Sequence, residues 1–353
     1  MRCCINCFDD RELTGFFISN STQQGECDFC KSKNVQLLDP REFEDLFQQL
    51  IQIYELFEES KGEEVDPALL HKKMQLEWGI FSSNLDSGRQ NDLLKAILGD
   101  KFEEKNDLFT KPVVRKSEFL NPDEAEELEQ EWNQFAKEIK LNNRYFLGKS
   151  IDLELLKDLF RFREKIYKKG KLFYRGRISD HQGFEAENMG KPPAENSTSG
   201  RANPIGIPYL YVSTTPETVI YESRATHLDF VTIAEFKLVK ERLNVVRLRQ
   251  IDNLSPFVFE DRLKDYLKYQ KYLKRLEIEL SKPLRRHDRK LEYLPTQYLC
   301  EYVKYLGYDA IEYGSSLNEG GVNLAIFNDE KLKIKKIEVR EVISINLDTK
   351  IID

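Results

Sequence analysis

The chain has 353 residues, 40% of them hydrophobic and 33% charged, which exceeds one typical domain and suits ordinary globular folding in about two. A net charge of -7 argues against a dedicated, nonspecific nucleic-acid binder, while leaving room for a local basic pocket. No apolar run is long enough to span a bilayer and no signal-peptide core follows Met1-Arg2-Cys3-Cys4, so a cytoplasmic protein without a membrane partner is expected.

Five of the six cysteines fall in the first thirty residues. Cys4-x-x-Cys7 and Cys27-x-x-Cys30, separated by a polar linker, suit tetrahedral thiolate coordination of Zn2+. Cys3 leaves open which of Cys3 and Cys4 is the ligand. Four thiolates leave no open position for chemistry, so such a knuckle is structural. The sixth cysteine, Cys300, sits in an apolar helical run and reads as core.

From Pro40 the pattern turns helical. Apolar residues recur at helical spacing over Glu42–Phe57, then around Pro67–Ile80 and Asn91–Leu98. A long acidic helix opens at Pro122 with Asn121 as its cap and runs to about Leu141; a further helix covers Asp152–Lys168. Everything from Pro40 to Lys168 therefore reads as helical. Composition then changes. Leu172–Ile178 is a strand, Asp180–Gly200 a loop long enough to imply a task, Ile207–Val212 a strand and Pro216–Arg224 a helix. Phe230–Leu238 alternates as a strand and Asn244–Leu248 continues it. Phe257–Leu280 and Pro295–Leu306 are helices, Asp309–Tyr313 and Val322–Phe327 short strands, and Lys331–Asn346 an extended tail. The expected fold class is α+β: a zinc knuckle (1–39), a helical domain (40–168) and a mixed-sheet domain (169–353).

Arg175 and Arg177 are two apart on a strand and share a face. They either grip a phosphate or pyrophosphate or lie at an edge in water. Arg201 and Asn203, after the long loop, favour an anionic ligand. Tyr211 is either a core ring or one that stacks on a flat heterocycle. Glu222 follows the apolar Val219-Ile220-Tyr221 and is either a buried acid kept for chemistry or a salt-bridge partner of Arg224 or Arg201. The Gly314-Ser315-Ser316 loop offers hydroxyl contacts or only a turn.

Four blocks, in this order, resemble the RES domain: Phe173-Tyr174-Arg175-Gly176-Arg177; Gly200-Arg201-Ala202-Asn203-Pro204-Ile205-Gly206-Ile207-Pro208-Tyr209-Leu210-Tyr211; Thr218-Val219-Ile220-Tyr221-Glu222; and Gly307-Tyr308-Asp309-Ala310-Ile311-Glu312-Tyr313-Gly314-Ser315 with Gly320-Gly321-Val322-Asn323-Leu324. The resemblance spans about Lys171–Asn328. Ala310 stands where glycine is commoner, and Phe257–Arg289 is longer and more charged than a minimal RES domain needs; a lid, a partner surface and a neutralising contact are its three readings. The region before the resemblance is similar to the helical domain fused to some RES proteins and related to HEPN bundles. His71, its only histidine, has no arginine at the HEPN ribonuclease spacing, which speaks against RNA cleavage there.

The resemblance implies an ADP-ribosyltransferase-like fold and degradation of NAD+ at the nicotinamide–ribose bond, by phosphorolysis or hydrolysis, in a toxin or defence effector paired with an Xre-type antitoxin. Arg175, Tyr211 and Glu222 would then be catalytic. Arg177, Arg201, Asn203 and Ser315 would bind substrate, with Arg177 holding inorganic phosphate if phosphate is the acceptor. Transfer of ADP-ribose to a macromolecule and a non-enzymatic zinc-bearing nucleotide-binding module are the competing expectations.

Overall fold

Two compact units share the chain: Met1–Ala125 with Ile251–Lys271, and Glu126–Gln250 with Tyr272–Asp353. The structure, a computed structural model, describes residues 1–21, 23–58, 66–99, 106–116, 122–148, 150–251, 254–282 and 290–345, with 106, 122–125, 260–261 and 290 by backbone alone. The expected cap Asn121, most of the polar break after Glu58 and residues 283–289 lie outside the described residues.

In the first unit, β1 (Cys3–Cys4), β2 (Gln23–Gly25) and β3 (Val35–Leu38) form an antiparallel sheet in the order β1-β3-β2. The segment between the cysteine pairs is not the polar linker expected from sequence. Arg11–Asn20 is a helix, capped by Asp10, whose Oδ1 accepts the N–H of Glu12 at 2.9 Å and of Leu13 at 3.1 Å. The Phe43 ring gathers Phe8, Phe16 and Phe17 at centroid distances of 5.2, 5.1 and 6.4 Å.

The stretch from Pro40 to Lys168 is not uniformly helical. The expected helix Glu42–Phe57 is helical only over Glu44–Ile51; β4 (Tyr54–Leu56) follows and pairs with β5 (Val113–Arg115). Short apolar runs satisfy either period, and the partner that decides lies far along the chain. The helix expected over Asp152–Lys168 stops at Arg161, and β6 (Glu164–Lys168) follows it. Arg163, 2% exposed, makes the bend, donating from Nε to the carbonyl of Arg247 (2.9 Å) and from Nη2 to that of Arg249 (2.7 Å). The units also depart from the expected division at 168/169, because the helix Pro122–Leu141 from Glu126 onward and the helix Leu153–Arg161 fall with the sheet.

The second unit is built on an eight-stranded mixed sheet. To β6 it adds β7 (Leu172–Ser179), β8 (Leu210–Ser213), β9 (Phe230–Leu238), β10 (Arg242–Leu248), β11 (Ala310–Gly314), β12 (Val322–Ile326) and β13 (Leu332–Glu341). The order is β13-β9-β7-β8-β12-β11-β10-β6, and only β10 and β11 run parallel. β10 therefore does not continue β9; four strands separate them. Alternation marks both as strands and carries no information on pairing partners.

Phe173, Leu210, Val212, Phe236, Leu324 and Ile326 share one hydrophobic core. Val219, Val231 and Ile233, with Tyr174, form a second, under the helix Pro216–Ser223. A Cβ at Gly176 would meet the Val219 carbonyl and side chain at 3.1–3.2 Å, so glycine lets this helix approach β7 closely. Thr215 caps the helix, its Oγ1 accepting the Thr218 N–H. At the other end of the sheet Glu312, fully buried, accepts from Lys165 Nζ (2.9 Å) and the Tyr167 hydroxyl (2.7 Å), with Arg249 at 3.7 Å and Arg247 at 3.8 Å.

Candidate functional site

The four-cysteine set comes together in the first unit. Cys4 Sγ lies 3.4 Å from Cys30 Sγ, Cys7 Sγ lies 3.4 Å from Cys27 Sγ, and all four sulfurs fall within 4.8 Å of one another. A tetrahedral thiolate site with metal–sulfur bonds of about 2.3 Å needs sulfurs about 3.8 Å apart, so the set fits a metal ion. The Cys3/Cys4 ambiguity resolves on geometry: the Cys3 thiol points to the carbonyl of Leu38 (3.5 Å), away from the cluster.

In the second unit, the loop entering β8 is organised by Asn203, 3% exposed. Its Nδ2 faces the carbonyls of Thr198 (3.0 Å), Pro204 (3.0 Å) and Ile207 (3.1 Å). Its Oδ1 accepts the Tyr211 hydroxyl at 2.7 Å, and that hydroxyl accepts the Ala202 N–H at 3.1 Å. Gly200 is required beside them: a Cβ there would sit 2.4 Å from Asn203 Oδ1 and 2.8 Å from Tyr211 Oη. The start of helix Leu294–Tyr305 completes the clamp. Gln297 Nε2 reaches the carbonyls of Gly200 (2.7 Å) and Asn203 (3.0 Å) and the Ser199 hydroxyl (2.8 Å); Thr296 Oγ1 donates to the Arg201 carbonyl (2.8 Å). The Asn203 side chain thus positions Tyr211, while Thr296 holds the Arg201 backbone.

On β7, Arg175 and Arg177 share a face, as their spacing predicts. Burial, and then the neighbouring Arg177, hold the Arg175 guanidinium down to about 10, well below its ordinary range. Arg177 donates to the Asn188 carbonyl and lies over the Phe184 ring at 4.3 Å. The Arg201 guanidinium lies 5.6 Å from the Tyr313 ring centroid. Among the described residues, Nε of Arg175 and Nε of Arg201 are buried donors with no acceptor.

Glu222 is half-buried, and its partners among the described residues are polar and uncharged. Its Oε1 accepts the Ser315 hydroxyl at 2.6 Å and the Asn323 Nδ2–H at 2.6 Å. Ser315, expected to bind the nucleotide, gives its proton to this carboxylate. The apolar run before Glu222 does not lie wholly on the sheet: Val219 is buried and Tyr221 is 55% exposed.

Electrostatic contacts tie these groups into one cluster. Arg175 feels Arg177 and Tyr211. Burial, and then the Tyr313 phenol, push the Tyr211 phenol up. The Tyr313 phenol is pushed up by burial, eased by Arg201 and raised further by Glu222. Tyr313, Thr296 and Gln297 are members that sequence reasoning missed. Only the aromatic at the end of a strand in the last RES-like block could have pointed to Tyr313; nothing local distinguishes Thr296 or Gln297.

A model of the RES domain matches residues 174–348. No curated protein matches the chain. Among solved structures, the M. tuberculosis MbcT–MbcA toxin–antitoxin complex aligns at 13% identity with a TM-score of 0.32, covering 54% of this chain and 93% of that one. Residues 174–348 of the chain are therefore a RES domain.

Proposed function

We propose that the protein cleaves the nicotinamide–ribose bond of NAD+, with water or inorganic phosphate as acceptor. The observation that carries this reading is the pair of buried, acceptor-free guanidinium donors, Arg175 Nε and Arg201 Nε, within one electrostatic cluster with the Glu222 carboxylate. Desolvated arginines favour a bidentate anion such as a pyrophosphate. A carboxylate that shares the Tyr313 phenol with Arg201 favours a second, cationic centre. NAD+ carries both charges, and RES membership supports it as substrate.

Nicotinamide leaves as a neutral molecule from a cationic precursor. The C–N bond breaks, its electron pair stays on the ring nitrogen, and the ribosyl carbon gains positive character. Glu222 stabilises that charge and holds a ribose hydroxyl. The incoming oxygen, of water or of phosphate, forms the new bond at the same carbon; water releases its proton to solvent. Arg177, beside Arg175, is the candidate to hold phosphate, and Tyr211 the candidate ring to flank the substrate. In this reading the protein acts as a toxin or defence effector restrained by a cognate antitoxin, and the four thiolates hold a structural Zn2+.

The test is incubation with NAD+, with and without phosphate, followed by chromatography. NAD+ is expected to disappear and NADH to persist, because dihydronicotinamide has no positive ring nitrogen to neutralise on leaving. Glu222→Gln should slow the loss at least about a hundredfold while leaving the Tm near wild type. Persistence of NAD+ under both conditions sinks the reading. Label from NAD+ appearing on a protein or nucleic acid, rather than in free products, would convert it to ADP-ribosyl transfer.

A further inference from the structure

We propose that Asn323 is a positioning residue that fixes Glu222 as an anion with one oxygen presented to substrate, and that Ser213 sets the orientation of the Asn323 amide. The inference deepens, and rests on, the reading of Glu222 as the group facing the ribosyl cation. Antiparallel pairing of β8 with β12 and of β12 with β11 puts Ser213, Asn323 and Tyr313 in one row across the sheet. Ser213 is 2% exposed and Asn323 4%.

Each group in this row has a restricted set of donors and acceptors. The amide oxygen of Asn323 can only accept, and it accepts the Ser213 hydroxyl at 2.5 Å. That leaves Nδ2–H for Glu222 Oε1, at 2.6 Å. A reversed amide would set Oδ1 against Oε1, two acceptors that tolerate such contact only around a shared proton. On the other side, Ser315 Oγ accepts the N–H groups of Leu317 (3.2 Å) and Asn318 (3.1 Å), so its one proton goes to Oε1, at 2.6 Å. Two donors therefore converge on Oε1. Oε2 accepts no hydrogen bond from the described residues and is the oxygen left for substrate. Among the described residues, the charged and titratable groups near Glu222 include the Tyr313 phenol on β11 and, beyond it, the Arg201 guanidinium. Ser213, Ser315 and Asn323 do not titrate.

The chemical consequence is a glutamate that acts as a fixed negative charge and acceptor and does not donate a proton. Such a site serves N-glycosides whose leaving group is already cationic, and fails on neutral ribosides that must be protonated to depart.

The experiment uses the full chain with its glutamate side-chain carboxyls labelled with 13C, the residue-222 signal being assigned by its loss in Glu222→Gln. Asn323→Asp keeps the shape and replaces the N–H donor by an oxygen, so two carboxylates share a proton. Its residue-222 carboxyl should stay protonated to a pH at least about one unit higher than in wild type. The acid limb of kcat for NAD+ should move up by the same interval, with KM nearly unchanged and activity recovering at alkaline pH. Ser213→Ala, which frees the amide to turn, should move both readouts in the same direction by less; it carries the test alone if Asn323→Asp fails to fold. A residue-222 signal that titrates alike in wild type and in both variants overturns the proposal, as does a pH-independent loss of kcat. The NMR arm needs no turnover. A wild-type protein that spares NAD+ therefore defeats the catalytic reading while the titration still decides whether Asn323 sets the charge of Glu222.

Discussion

Arg175 carries its charge at a disadvantage. Burial and Arg177 both act against it, and no acceptor meets Nε among the described residues. Arg175→Met keeps most of the volume and removes the buried charge, so the free protein should gain about 1–3 kcal/mol, read by chemical denaturation. Stabilisation by ADP-ribose should vanish in the same variant. A loss of stability in the free protein would show that Arg175 is structural. His71 makes a pH-dependent prediction. It is 3% exposed, its Nε2 meets the Ser87 hydroxyl at 2.9 Å, and burial, then Lys72 and Lys95, lower it from its ordinary value near 6.5. The unfolded chain binds the proton more readily, so stability is present above about pH 6.5 and is lost as pH falls below it. His71→Gln should flatten that slope in urea titrations at pH 5 and pH 7.5. At this scale the grouping of Arg175, Arg201, Tyr211 and Glu222 was legible in sequence because they lie in compact blocks with a family order. The use made of each was not. Asn203 and Ser315 offer the same polar atoms to a ligand or to the chain, and only the fold reveals that carbonyls from Thr198 to Ile207 and the Glu222 carboxylate claim them.

The knuckle is an element whose spacing announced it: two Cys-x-x-Cys pairs are rare enough to specify a tetrahedral set, though not which of Cys3 and Cys4 joins it. Geometry makes the choice testable. Cys27→Ser should lose the bound metal, measured as metal per chain by mass spectrometry, and unfold at lower temperature. Cys3→Ser should keep the metal, since its thiol faces the Leu38 carbonyl. Equal metal loss in both variants would refute the assignment. Other elements were misjudged for a common reason. Tyr54–Leu56 and Glu164–Lys168 are strands because partners elsewhere in the chain, Val113–Arg115 and Arg242–Leu248, supply their ladders. A local period cannot encode a distant edge. The helix Arg11–Asn20 was hidden by its polar residues, although Asp10 before it is an ordinary cap signal.

Across the whole molecule, the boundary suggested by composition at 168/169 differs from the boundary drawn by packing. β6 precedes it, yet Lys165 and Tyr167 satisfy the buried Glu312 carboxylate. A protein beginning at Lys169 would strip those partners from Glu312, a loss of about 3–5 kcal/mol for a buried ionic group, and would expose the edge of β10. It should show no sharp near-UV circular dichroism and no cooperative melt. A melt close to that of the full chain would show that residues 126–168 are dispensable. Phe257–Arg289, read from sequence as a lid, a partner surface or a neutralising contact, has core contacts at its start. Phe257 packs on Phe47 with centroids 5.1 Å apart, and Ser255 Oγ donates to Asp10 Oδ1 at 3.0 Å, so Ile251–Lys271 belongs to the core of the first unit.

That threading has a consequence for biosynthesis. Emerging from a ribosome, the first 125 residues lack the stretch that covers Phe47 and Asp10 until more than a hundred further residues of the sheet unit have been translated. Neither half can mature alone in the order of translation. A message cut short before codon 271 therefore yields an unfinished polypeptide for proteolysis.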